Sequence, residues 1–226
     1  NAMNINRDNS NLIIIEKKNE VYITVDCESD IQREISEFFT FYVPGYKFMP
    51  AFRTRMWDGK IRLFSQKTKE IYFGLYPYIK AFAEERGYNI VAAKDVEIDN
   101  KVDKDVVTKF SNSLGQKFEA RDYQIDAIYH SLKRNRTLLV SPTASGKSFI
   151  IYSLIRYYTH LIKDKPNNRT LLIVPTTSLV EQMYSDFESY GWNVKRYCHR
   201  LYSGYSNQTD KKVLISTWQS LYKLPK

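Results

Sequence analysis

Between Thr143 and Ser148 the chain reads Thr-Ala-Ser-Gly-Lys-Ser, a run of small residues that closes on a lysine and a hydroxyl. These residue types suit a phosphate anion. Gly146 lets the main chain approach closely, Lys147 places a point charge on β- and γ-phosphates, and Ser148 offers a hydroxyl to Mg2+. Lys147 and Ser148 are therefore the candidate catalytic pair, and Ser148 is the candidate metal ligand. Thr143, Ala144, Ser145 and Gly146 complete the candidate nucleotide loop. Twenty residues upstream, Arg121-Asp122-Tyr123-Gln124 supplies a carboxamide with one acceptor and a paired donor, the complement of the N6/N7 edge of adenine. Tyr123 can pack on the base, so ATP with Mg2+ is the expected cofactor.

Such a loop works only if a strand delivers it and a helix receives it. Thr137-Leu138-Leu139-Val140 reads as the strand and Phe149-Ile150-Ile151-Tyr152 as the start of the helix, whose N-terminal amides face the anion. Ser141 stands where the usual loop pattern has its first glycine. A second buried-type strand, Thr170 to Val174, runs into Pro175-Thr176-Thr177-Ser178 and a further helix. Thr176 and Thr177 there supply hydroxyls and amides for another anion, although one hydroxyl suffices for plain N-capping. Val213-Leu214-Ile215 reads as a third core strand, followed by Ser216-Thr217-Trp218-Gln219-Ser220-Leu221. The basic stretch between the last two strands carries Lys195, Arg196, Arg200, Lys211 and Lys212.

The N-terminal part has a different pattern. Leu12–Ile15 and Val21–Val25 read as a hairpin. Ser29 with Gln32 fits a capping box for a helix reaching about Phe41. Asp58-Gly59 predicts a tight turn that puts Lys60 and Arg62 on one face and Ile61 and Leu63 on the other. Arg53, Arg55, Lys60 and Arg62, with Tyr46, Phe48, Phe52 and Trp57 nearby, suit a nucleic-acid backbone with stacked bases. An amphipathic sheet with a solvated outer face is the plainer reading. A helix through Tyr78, Ile79, Phe82 and Ala83 ends at Gly87, and Tyr88–Ala92 reads as a strand.

Charge sharpens the division. Up to Gly115 there are 17 basic and 17 acidic residues, and beyond it 17 and 8, so the net charge of +9 sits in the second part. Lys47 to Lys69 holds seven basic residues against Asp58 alone, which favours a polyanionic partner. No apolar run exceeds four residues, so no membrane partner is expected. Cys27 and Cys198 lack metal-ligand spacing and read as thiols of a reducing compartment. The opening Asn1-Ala2 before Met3 reads as the remnant of a cleaved tag. The expected organisation is a small α+β domain over 1–100, a linker over 101–116, and a nucleotide-binding α/β domain with a parallel sheet over 117–226.

Taken in order, Arg-Asp-Tyr-Gln, Pro-Thr-Ala-Ser-Gly-Lys-Ser, Val-Pro-Thr-Thr-Ser-Leu-Val-Glu-Gln and Ser-Thr-Trp-Gln-Ser-Leu resemble successive motifs of superfamily 2 helicases. Gly45-Tyr46-Lys47-Phe48 through Trp57-Asp58-Gly59-Lys60-Ile61-Arg62-Leu63 is similar to the leading domain of UvsW-like bacteriophage helicases. The resemblance implies an ATP-dependent helicase or branch-migration motor. Its partners would be branched or single-stranded DNA and RNA–DNA hybrids, in phage recombination, repair and replication restart. It implies a P-loop, RecA-like first lobe behind an accessory DNA-binding domain, DNA contact at Thr217, and the host-cell cytoplasm. No Asp-Glu-x-His-type segment follows the loop, so the lobe is expected to be incomplete and the chain a fragment or truncated relative. A non-catalytic DNA-binding module with a vestigial nucleotide loop is the rival reading. A P-loop kinase is a third, in which the Thr176 and Thr217 segments have no role.

Overall fold

Ile13 and Ile15 alternate with less buried neighbours, as do Ile23 and Val25, and period two sends all four to one face of a sheet. The computed structural model describes residues 11–97 and 100–223, so the reading of Asn1-Ala2 lies outside the described residues. The chain divides into two units, Asn1–Ile98 and Asp99–Lys226.

In the first unit β1 (Leu12–Lys17), β2 (Tyr22–Asp26), α1 (Ser29–Phe38), β3 (Thr40–Tyr42), α2 (Pro50–Arg53), β4 (Lys60–Arg62), β5 (Glu70–Tyr72), α3 (Tyr76–Arg86) and β6 (Asn89–Ala92) follow in order. The main sheet runs β5-β2-β1-β6, with β6 parallel to β1 and the other pairs antiparallel. Ile31 and Ile35 of α1 and Ile79 and Phe82 of α3 close over it. Each such side chain, fully buried, stabilises the unit by about 1.5–3 kcal/mol.

Four sequence expectations fail here. Glu28 precedes α1 without a side-chain cap, and Gln32 instead donates to the Cys27 carbonyl at 2.8 Å. The helix stops at Phe38 because Thr40–Tyr42, β-branched and aromatic, ladders with β4. Asp58-Gly59 is therefore no hairpin turn: β4 pairs with β3, Phe41 opposite Ile61, while the residues before Asp58 form α2 and turns. Ile61, expected inward, is exposed, since the two-stranded ribbon leaves it uncovered. Gly59 is needed for a different reason. At φ +78° a Cβ there would lie 2.3 Å from the Tyr46 ring. Gly59→Ala is expected to destabilise the first unit by about 2–4 kcal/mol, from overpacking plus the left-handed backbone. Denaturant unfolding with no change in midpoint would mean that the Tyr46 ring simply turns aside.

The second unit contains α4 (Lys104–Asn112), α5 (Asp122–Arg134), α6 (Lys147–Leu161), β7 (Thr170–Val174), α7 (Thr177–Ser189), α8 (Val194–Tyr197), β8 (Cys198–Leu201), β9 (Val213–Thr217) and α9 (Trp218–Tyr222). Its strands are parallel in the order β7-β9-β8, with Val174 opposite Thr217. Residues 101–116 are no simple tether. They carry α4, and Val107 and Leu114 are buried in this unit's cores. The run 137–140 forms no ladder with the described strands: Leu138 is 87% exposed and Val140 91%. A β-prone segment becomes a strand only beside a partner that takes its N–H and C=O groups. Conversely, the basic stretch 195–212 holds a strand, β8, whose Cys198 and Leu201 are buried. Cys27 and Cys198 are free thiols, one per unit, and burial pushes each up to about 12.

Candidate functional site

The loop 141–147 turns left-handed twice, at Ala144 (φ +62°) and at Gly146 (φ +72°), and Gly146 then caps the N-terminus of α6. The second turn demands glycine, because a Cβ on Gly146 would lie 2.4 Å from Nε2 of Gln124. Gln124 is only 5% exposed. Its Oε1 accepts the Arg121 N–H at 3.0 Å and its Nε2 donates to the Gly146 carbonyl at 3.3 Å, tying the start of α5 to the loop. The Tyr123 hydroxyl donates to the Ser145 carbonyl at 2.9 Å. Lys147 Nζ donates to the Pro142 carbonyl at 2.6 Å, curling over the loop, and the hydroxyls of Ser141 and Ser145 meet. Ser148 Oγ lies 2.7 Å from the hydroxyl of Tyr190, the residue after α7.

A cavity of about 540 Å3 opens beside this loop. Arg121, Tyr123, Leu139, Val140, Thr143 and Ser145 are among its lining residues, and no carboxylate is. Of the sequence-predicted nucleotide residues, Tyr123, Thr143, Ala144 and Ser145 line this cavity, while Gln124, Gly146, Lys147 and Ser148 lie in the adjoining loop and helix start, Gln124 being joined to Gly146 by its hydrogen bond. The donors fit a nucleotide's phosphate end, with α6 amides, an ammonium and a hydroxyl in succession. For a hard divalent cation the chain offers the Ser148 hydroxyl oxygen. Among the described residues no three His, Cys, Asp or Glu side chains gather into a metal site.

Thr217 ends β9, Thr176 lies two residues past the end of the adjacent strand β7, and Thr177 opens α7. Thr176 and Thr177 are exposed, and Thr176 caps α7 by accepting the Leu179 N–H at 3.3 Å. Thr217, only 5% exposed, caps α9 and contacts the Ser220 hydroxyl at 3.0 Å. Much of the nearby positive charge is used inside the unit. Arg200 pairs with Glu181 at 2.7 Å and stacks between Tyr184 and Tyr205, while Lys212 donates to the Lys165 carbonyl at 2.6 Å. The Tyr202 hydroxyl, followed by Arg200, holds the Glu181 carboxyl below its usual range.

In the first unit the four predicted basic residues separate into two kinds. Arg62 is locked to Asp58, and that hydrogen bond brings the Asp58 carboxyl down to about 2. Lys60 sits 4.9 Å over the Tyr42 ring, itself stacked on Tyr46 at 4.6 Å. Arg53 and Arg55 have no ion-pair partner among the described residues, and they line an open cavity of about 570 Å3 with Lys47, Phe52, Met56 and Trp57. Trp57 is fixed there by its Nε1–H donating to the Lys60 carbonyl at 2.9 Å. Lys47 and Met56 were not among the predicted contacts, although the charge run containing Lys47 is visible in the sequence. Arg121 likewise stands beside Tyr123 in the sequence. Tyr190 carries no such signal, being 42 residues from Ser148.

Comparison with known proteins agrees with this two-part layout. Residues 13–93 match the family model "DNA helicase UvsW, N-terminal", and residues 117–225 match "Type III restriction enzyme, res subunit". The chain is 34% identical over 214 residues to the ATP-dependent DNA helicase uvsW of Enterobacteria phage T4, covering 91% of this chain and 42% of that relative's length. A crystal structure of the UvsW helicase from bacteriophage T4 superposes with a TM-score of 0.79 at 30% identity, over 94% of this chain and 77% of that one. A second crystal structure of T4 UvsW gives 0.80 at 31% identity, over 94% and 44%. With both units matched in chain order, the chain belongs to the UvsW family of DNA helicases.

Proposed function

We propose that the chain forms the DNA-gripping and nucleotide-binding portion of an ATP-dependent superfamily 2 helicase. The motor would migrate branches in DNA and dissolve RNA–DNA loops during phage recombination, repair and replication restart, in the host cytoplasm. The observation that carries the nucleotide half is the Gln124 bridge, which holds the start of α5 against the loop that turns into Lys147 and Ser148. In this reading Tyr123 packs on the base and Gln124 exchanges its bond to Gly146 for the adenine edge. Lys147 leaves the Pro142 carbonyl for the β- and γ-phosphates, and Ser148 turns its oxygen toward Mg2+. Bound ATP with Mg2+ supplies the phosphoryl group whose transfer drives the motor. The DNA half rests on Arg53, Arg55, Lys60 and Arg62 of the first unit, and on Thr176, Thr177 and Thr217 at the strand ends, where open α/β sheets place ligands.

Residues 1–226 alone are expected to bind ATP weakly and to bind branched or single-stranded DNA, without sustained turnover, since within them no Asp-Glu-x-His-type segment follows the loop to hold Mg2+. Titration with labelled ATP and with fork DNA checks this. Failure of both ligands to bind refutes the proposal, and robust DNA-stimulated hydrolysis refutes the part on turnover. Gln124→Ala should weaken ATP more than GTP, by about 1–3 kcal/mol if both base contacts are lost. Equal losses would leave Gln124 as a brace between α5 and the loop.

A further inference from the structure

Tyr190 is not in the nucleotide loop, in its helix or among the cavity-lining residues, yet its hydroxyl is the partner of the Ser148 hydroxyl at 2.7 Å. We propose that Tyr190 is a positioning residue for the metal end of the nucleotide site, accepting the Ser148 proton so that the serine lone pairs face the cation. This rests on the nucleotide reading given above.

The ring has little freedom. It meets Phe149 edge-on at 5.6 Å, Phe118 at 5.8 Å and Tyr152 at 5.1 Å. Phe149 and Tyr152 belong to α6, the helix that Ser148 itself helps to open, so ring and hydroxyl both fasten α7 to α6. The backbone is held as well. Tyr190 N–H donates to the Asp186 carbonyl at 3.0 Å and Gly191 N–H to the Glu188 carbonyl at 3.0 Å, closing the last turn of α7.

The chemistry follows from counting protons and lone pairs. A serine hydroxyl has one proton and two lone pairs, and a phenol can donate or accept. To ligate a hard cation, Ser148 must present a lone pair and send its proton away from the positive charge. Tyr190 gives that proton a fixed destination. Without the phenol oxygen, the Ser148 proton rotates freely and no acceptor opposes its pointing toward the metal. Thr176 caps α7 and Thr177 opens it, both candidate DNA contacts, so the same helix has one end at each proposed ligand.

The test uses the 226-residue chain, with ATP as probe in the presence and absence of Mg2+. Tyr190→Phe keeps the ring and removes only the hydroxyl. Wild type should bind ATP more tightly with Mg2+. Tyr190→Phe should match wild type within about twofold in EDTA and lose about two- to tenfold of the Mg2+-dependent gain, the loss of one hydrogen bond. Ser148→Ala should lose the same gain, and the double variant should lose no more than Ser148→Ala alone, because the two hydroxyls act as one unit. Thermal melting checks that each variant is folded, and Tyr190→Leu repeats the measurement should Phe prove unstable. A full Mg2+ gain in Tyr190→Phe, or an equal loss with and without Mg2+, overturns this inference and leaves the nucleotide reading standing. Absence of any Mg2+ gain in wild type overturns the metal assignment of Ser148 and this inference with it.

Discussion

Gly146→Ala is expected to abolish measurable ATP binding by the chain, a larger loss than Lys147→Ala produces. The alanine meets two penalties at once. A left-handed backbone costs a residue with a Cβ about 1–2 kcal/mol. The added methyl would also stand 2.4 Å from the Gln124 carboxamide, which is buried and already held by Arg121. Either the carboxamide is expelled, releasing α5 from the loop, or the loop opens and α6 loses its N-terminal turn. Both outcomes would dismantle the proposed base and phosphate contacts together. Lys147→Ala removes only a charge-assisted contact, of about 1.5–3 kcal/mol, and leaves the loop's backbone intact. Nucleotide titration with melting curves separates the two variants: Lys147→Ala should melt near wild type, and Gly146→Ala below it. Equal affinity for ATP in Gly146→Ala and wild type would place the nucleotide elsewhere.

The second large effect concerns DNA and salt. Residues 1–98 have their own sheet, helices and buried core, and α4 lies outside them, so this stretch is the natural piece to isolate. It is expected to bind DNA with little sequence preference. Its salt dependence should come chiefly from Arg53 and Arg55, whose charges have no partner among the described residues, and not from Arg62, whose charge Asp58 already offsets. Each phosphate contact contributes about 0.7–0.9 to the slope of log K against log salt. Replacing Arg53 and Arg55 together with alanine should therefore flatten the slope by about 1.4–1.8. Arg62→Ala should change it by much less than one contact's worth, and Thr177→Ala in the whole chain should leave it nearly unchanged. Binding curves across a salt series measure all three. A slope indifferent to Arg53 and Arg55 would make the first unit a docking module.

The contrast between Arg62 and Arg53 marks the limit of what the sequence discloses. Alternation places Lys60 and Arg62 on one face, and it cannot tell that Asp58 folds back onto one and Tyr42 lies under the other. Local periodicity read the β1–β2 hairpin, α3 with its Gly87 cap, α5, α6, α7 and β9, because each is decided within a few residues. It misread Asp58-Gly59, where the glycine answers to Tyr46, thirteen positions away. It also missed β8, whose partner β9 lies beyond a polar stretch, and gave 137–140 a strand for which no described partner exists. At the proposed nucleotide site the order of the loop and the Tyr123-Gln124 pair is visible in the sequence. The Gln124–Gly146 contact and the Tyr190–Ser148 hydroxyl pair were not, since both depend on how helices meet.

The two thiols, Cys27 half-buried and Cys198 buried, have a practical consequence. Each unit holds a single cysteine; Cys198, buried and with its thiol pushed up to about 12, reacts slowly with an alkylating reagent while its unit stays closed, whereas half-buried Cys27 is partly accessible from the outset. The rate at which Cys198 becomes modified then counts the excursions of its own unit into an open form, and slowing at Cys27 is read against that thiol's own rate without ligand. Mass spectrometry resolves the two sites in one sample, so a ligand that steadies one half of the molecule can be recognised by which thiol it protects, without any introduced label.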